Sequence, residues 1–168
     1  ELFKPLNSNI KPKNRIIFAY LGSTDTAYNI KPVLKLFLYT LKKNKNCELR
    51  IFGKKNDKLI NSLNDLNVPS QNYSIFFVDR KDLTSNLNEC NIGVFFSKNN
   101  FSIKASFPTK IGEFLACGLP IICNSFNNDI SNLINNNNIG LICDFENFNN
   151  DHLYNKMLNL KNSNEISN

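Results

Sequence analysis

The chain has 168 residues, 42% of them apolar, and carries 20 Lys and Arg against 14 acids for a net charge of +6; this is enough for one compact α/β domain, and no internal repeat suggests more. That charge favours a small anionic ligand or a membrane surface over nucleic acid, since no basic stripe alternates with exposed aromatics and the phenylalanines sit in apolar runs such as 75–78 and 94–96. Cys47, Cys90, Cys117, Cys123 and Cys143 lack metal-finger spacing and fall mostly inside apolar patterns, as free buried thiols of a reducing, cytoplasmic protein would.

The first fourteen residues are polar and contain prolines, as a linker would, so the domain proper is expected over 15–168 as a piece of a longer protein. No apolar run approaches the ~20 residues that span a bilayer, and no signal-peptide pattern is present. Strand signals then recur as RIIFAYLG (15–22), ELRIFG (48–53), YSIFFVD (73–79), IGVFFS (92–97), LPIIC (119–123) and IGLIC (139–143). Their apolar positions run on without alternating, which is the pattern of strands covered on both faces. Helical patterns fall at 29–43, 55–66, 81–90, 108–117, 129–136 and 148–160. The expected fold is an α/β, doubly wound, mostly parallel six-stranded sheet with helices on both faces. Asparagine makes up roughly a fifth of the chain, chiefly at loops and turns where it tolerates left-handed dihedrals, and a compositional bias accounts for it.

If the strand order reverses between the first and fourth strands, ligands bind beyond their carboxyl ends. Those ends are Gly22 and Ser97, so the loops 22–28 and 98–107 should face a ligand. The first loop, YLGSTDTAYNIK (20–31), has a single glycine, too few for a dinucleotide fingerprint or a triphosphate-binding loop, and a plain connecting turn stays open as its reading. GKKNDK (53–58) reads as a solvated loop.

The stretch FPTKIGEFLACGLPII (107–122) is richer. Ser106 can cap a helix that Pro108 starts at its first position, and Thr109, Lys110 and Gly112 leave the helix N-terminus open to an anion such as phosphate. Gly118 stops the helix. Lys110 and Glu113 could form a surface salt bridge; alternatively Glu113 accepts both hydroxyls of a ribose, with Lys98, Lys104 and Lys110 as the cations nearest the phosphates. His152 lies far along the chain and reads as a surface residue. With no Asp-x-Asp, no His/Cys cluster and Asp144 and Glu146 in a loop, no metal is expected.

On these residues, PTKIGEFLACGLPIICNSFNND (108–129) resembles the donor-binding signature of family-four retaining glycosyltransferases, which have the GT-B fold of two Rossmann-like domains. The similarity covers about 15–145, with the glycine loop, the strand ending in VDR and the strand ending in FFS in the family's order. It implies that Glu113 holds the ribose hydroxyls, that Ser106, Phe107, Pro108 and Thr109 form the loop and helix start whose main-chain amides approach the diphosphate and sugar, and that Gly22 and Ser23 flank the diphosphate. Val78, Asp79 and Arg80 fall beside the base. Two positions depart from the family: the first glutamate of its pair falls at Ala105, and the arginine and lysine after the first strand fall at Ser23 and Asn29. Charge on the leaving diphosphate is therefore expected from Lys110, the catalytic candidate, with Lys98 and Lys104.

The resemblance implies a hexosyltransferase whose substrate is a UDP- or GDP-sugar, without a cofactor. The acceptor would be a glycan or lipid-linked molecule, handled with an N-terminal domain missing here, in surface glycan assembly at the inner face of the membrane. Such a fragment should bind nucleotide but transfer nothing alone. A noncatalytic binding or interaction module and a nucleotide-sugar epimerase are the alternatives.

Overall fold

A computed structural model describes residues 2–5, 14–23, 28–98, 106–144 and 151–162. Its strands are β1 (Ile16–Leu21), β2 (Cys47–Phe52), β3 (Tyr73–Phe76), β4 (Ile92–Val94), β5 (Ile121–Cys123) and β6 (Gly140–Ile142). The helices are α1 (Ile30–Lys43), α2 (Asp57–Asp65), α3 (Arg80–Asn88), α4 (Thr109–Ala116), α5 (Asn128–Asn137) and α6 (Asp151–Asn162). All strand pairs are parallel, in the order β3-β2-β1-β4-β5-β6. This is the doubly wound sheet expected, with its reversal between β1 and β4.

The continuous apolar strands divide their side chains between two cores. Ile16, Phe18 and Tyr20 of β1 join α1, α2 and Met157 of α6 on one face, while Ile17 and Ala19 join α3, α4 and α5 on the other. Burial on both faces forces parallel crossovers through helices, which carry the chain from one strand's end back to the next strand's start.

Asparagine does more than fill loops. Asn29, Asn56 and Asn127 cap α1, α2 and α5, and Asn138 takes the left-handed position at the end of α5. Two others substitute for missing strand length. Asn91 Oδ1 accepts from Ile17 N at 2.8 Å while its own N donates to Ile17 O at 2.9 Å. Asn124 accepts from Ser97 N at 2.8 Å and donates to Ser97 O at 3.1 Å. Each side-chain amide thus continues a strand ladder that the short β4 and β5 cannot supply, leaving few backbone groups unpaired.

Two expectations need correcting. Strand β3 stops at Phe76, so Phe77 leaves the apolar run and is 83% exposed, and Phe107 is 57% exposed; not all the phenylalanines are core. Residues 2–5, part of the expected linker, dock on α3. Thr84 Oγ1 donates to Leu2 O at 2.7 Å, Asn88 Nδ2 donates to Lys4 O at 3.0 Å, and Phe3 packs on the core beneath.

Candidate functional site

At the reversal between β1 and β4 the chain leaves toward opposite faces, into α1 after β1 and into α4 after β4, the place where sheets of this kind hold a ligand crevice. Gly22 makes the exit from β1. Its φ is +124°, which an L side chain rarely adopts, and its N donates to Phe52 O at 3.0 Å. The loop returns at Tyr28, which forms an antiparallel bridge with Ser97, and Asn29 N donates to Phe96 O at 2.8 Å. The glycine loop is therefore tied to the end of β4. Ser97 is fully buried, and its Oγ finds no hydrogen-bond partner among the described residues.

Beneath this loop lies Lys110. It was expected to face the crevice as an exposed cation or to pair with Glu113; instead it is 5% exposed, and its Nζ donates to Leu21 O at the end of β1. The same Nζ sits 3.2 Å from the centre of the Tyr28 ring and 5.6 Å from those of Tyr20 and Phe95. The reason is helical geometry. Lys110, Phe114 and Cys117 stand at i, i+4 and i+7, one inward stripe of α4 and its cap, so the lysine points under the loop. Burial pushes its ammonium down to about 7, with Glu113 pulling weakly the other way. Ring faces and a carbonyl favour the cation and offset part of the cost of burying it.

A methyl on Gly22 would lie 2.8 Å from Lys110 Nζ. Gly22→Ala adds this contact to an unfavourable φ and is expected to cost about 1–3 kcal/mol of stability. An unchanged urea midpoint would show that neither constraint operates.

Helix α4 begins differently from the sequence expectation. Pro108, not Ser106, is its N-cap, and the proline makes no side-chain capping bond, so the helical turn itself starts at Thr109. Pro108 is buried whereas Ser106, Phe107 and Thr109 are exposed, and Asn127 Nδ2 reaches Ser106 O at 3.5 Å. Ile111 N donates to Pro108 O at 3.0 Å, and the amides ahead of it, at the positive end of the helix dipole, are of the kind that receives an anion. Gly112 on this turn would admit a Cβ without touching anything within 4 Å, so this side is open.

Glu113 lies on that same turn with its side chain 12% exposed, and its Oε1 is 3.2 Å from Arg80 Nη2 at the start of α3. The starts of α3 and α4 therefore meet through this pair. Ser23 is exposed, with its O accepting from Tyr20 OH at 3.3 Å, and Lys98 is half-buried just past Ser97. Lys104 and Ala105 lie outside the described residues.

The structure thus gathers Gly22 with Lys110, and Arg80 with Glu113. Sequence reasoning placed Ser97 at the end of its strand but missed Leu21, Tyr28 and Asn124. The 110/114/117 spacing could have signalled the inward lysine, and a polar residue directly after the buried IIC of β5 could have signalled Asn124. The arrangement offers an anion receptor, a carboxylate with acceptor capacity and, at Gly22, a backbone position without a side chain. Among the described residues no His/Cys/Asp/Glu group is arranged to hold a metal, and no helix is long and apolar enough to cross a membrane.

A family profile described as Glycosyl transferases group 1 matches residues 4–168. No curated protein matches the sequence. Among solved structures, a TarM variant from S. aureus held with fondaparinux, α-GlcNAc-glycerol and UDP superposes with a TM-score of 0.66 at 16% identity, over 97% of this chain and 32% of TarM. WaaG, a glycosyltransferase involved in lipopolysaccharide biosynthesis, superposes with a TM-score of 0.68 at 13% identity, over 98% of this chain and 48% of WaaG. The GtfA/B complex gives 0.68 at 11% identity, over 99% of this chain and 32% of that one. The chain therefore spans about a third to a half of these proteins.

Proposed function

Because this chain belongs to the group 1 glycosyl transferases, with the Rossmann-like architecture of a GT-B domain, we propose that it is the donor half of such an enzyme. It binds a UDP- or GDP-sugar whose hexosyl group passes to a glycan or lipid-linked acceptor. The observation that carries this reading is the α4 N-terminus, headed by a proline that makes no side-chain capping bond and standing at the strand reversal with Glu113 on its first turns. UDP bound to TarM, a protein of the same fold, supports it.

In this reading the first amides of α4 receive the diphosphate, and Glu113 accepts from the two ribose hydroxyls. The main chain at Gly22 and Ser23 closes on the opposite side, and Ser106, Phe107, Pro108 and Thr109 line the approach of the sugar. Lys98 and Lys104 add positive charge to the diphosphate side. Lys110 acts from below, holding the end of β1 and adding positive potential under the loop. Negative charge accumulates on the departing diphosphate as the glycosidic bond breaks, and fixed amides and cations that meet it lower the barrier, with no metal required of these residues. Acceptor binding, and any acid or base, belong to residues outside this chain, so the 168 residues bind donor without turnover. The work is done at the cytoplasmic face of a membrane, in surface glycan assembly.

Calorimetric titration with UDP, GDP and their sugars tests the reading. Binding with Kd between micromolar and millimolar is expected for one nucleotide series. Glu113→Ala should weaken it about tenfold or more, since hydrogen bonds to a charged group contribute about 1.5–3 kcal/mol. No binding to any of them would overturn the proposal. It would favour a noncatalytic module, a reading supported by Ser23 and by Asn29, which caps α1 where the family resemblance carries a lysine.

A further inference from the structure

Arg80, Thr84 and Asn88 stand at i, i+4 and i+8, one stripe along α3. Residues 2–5 lie along this stripe, fixed by the two main-chain acceptors Leu2 O and Lys4 O. Between them Phe3 turns its ring toward the first turn, where the Arg80 guanidinium carbon lies 5.7 Å from the ring centre. From the same guanidinium, Nη2 reaches Glu113 Oε1 at 3.2 Å. One continuous set of contacts thus runs from the N-terminal segment to the carboxylate on α4.

We propose that Arg80 is a positioning residue for the ribose-binding carboxylate: held by Phe3, it fixes Glu113 in the orientation that grips the vicinal diol, without touching the nucleotide. This rests on the donor-site reading above. The Arg80 side chain is 70% exposed, and an exposed arginine alone would wander among rotamers and contribute little to a pair. A ring beneath it narrows that freedom. Each oxygen of the carboxylate offers two lone pairs, so one bond from Arg80 leaves Glu113 able to accept from both hydroxyls.

The test compares a nucleoside diphosphate with its 2′,3′-dideoxy counterpart, using uridine or guanosine according to which the wild-type chain binds. Arg80→Ala should weaken the ribonucleotide about three- to fivefold and leave the dideoxynucleotide unchanged. Arg80→Lys should recover part of the loss, and Arg80→Ala added to Glu113→Gln should cost nothing further. Phe3→Ala should reproduce the pattern at smaller size. Equal losses for both nucleotides would mean that Arg80 contacts the base or phosphates directly, and overturn the proposal; so would no loss at all. An unchanged Phe3→Ala would remove the N-terminal segment from it. A wild-type chain that binds neither nucleotide fails earlier, at the donor-site reading, whereas one that prefers ribose yet ignores Arg80→Ala fails only here. Arg80 is too exposed for its loss to open a cavity, and circular dichroism melts of each variant confirm that the fold is intact.

Discussion

Relative to a Lys110→Met variant, the wild-type chain is expected to gain about 3 kcal/mol of stability between pH 7 and pH 9.5. Burial holds the Lys110 ammonium down at about 7 against an ordinary 10.5, so between those values the unfolded chain binds a proton that the native chain does not. Stability then rises with pH by about 1.4 kcal/mol per unit. Below pH 7 both states are protonated, the full cost of the buried charge is present, and the curve flattens. The groups facing the ammonium are Leu21 O, the rings of Tyr20, Tyr28 and Phe95, and Glu113. Tyr20 and Tyr28 are pushed up by burial and stay neutral throughout this window. The buried thiols of Cys47, Cys123 and Cys143 are also pushed up and oppose the trend near pH 9, in wild type and variant alike. The difference between the two proteins therefore isolates Lys110. Methionine fills the lysine's volume without a charge, so the variant should match or exceed wild type at pH 7 and fall below it at pH 9.5, where the neutral amine still donates to Leu21 O. Urea unfolding across the series gives both curves; parallel curves would show that Lys110 stays charged in the native state.

The sheet was legible in the sequence because six apolar strands, each followed by an amphipathic stretch, leave only parallel strands with helical crossovers. From the strand order, the place of the candidate site followed. The interior of that site was less legible, for definite physical reasons. A lysine near a helix start counts by residue type as solvent-facing; only the 110/114/117 stripe, which also carries Phe114, gives its inward direction. The partnership of Arg80 with Glu113 joins two helices on one face of the sheet, and no local pattern links them. The abundance of asparagine hid Asn91 and Asn124 among residues whose roles are local turns and caps, although each follows or precedes a buried strand where a backbone-like amide can extend the ladder. Residues 2–5 read as linker from their polarity and proline, while Phe3, the aromatic among them, is the one that packs.

Gly93 and Phe114 should behave as a single site for stability. Gly93 lies in the middle of the sheet, paired with Ala19 of β1 and Ile121 of β5, and a methyl built on it would come within 2.6 Å of the Phe114 ring. The ring of α4 thus occupies the room a side chain would take. Phe114 is fully buried, so Phe114→Ala is expected to cost about 3–5 kcal/mol through lost contact and a residual cavity. Gly93→Ala alone overpacks the same spot and should cost about 1–3 kcal/mol. In the double variant the new methyl fills part of the space the ring vacates, so its loss should fall short of the sum by about 0.5–3 kcal/mol. Unfolding in urea gives all three values, and simple additivity would show that the two positions are independent. The same contact sets how close α4 approaches the sheet. Lys110 and Glu113 are on the turn just before Phe114, so pushing the ring outward lengthens the reach from Lys110 to Leu21 O and from Glu113 to Arg80 together. A single methyl at Gly93, in the interior of the sheet, should therefore disturb the crevice more than its cost in stability alone would suggest.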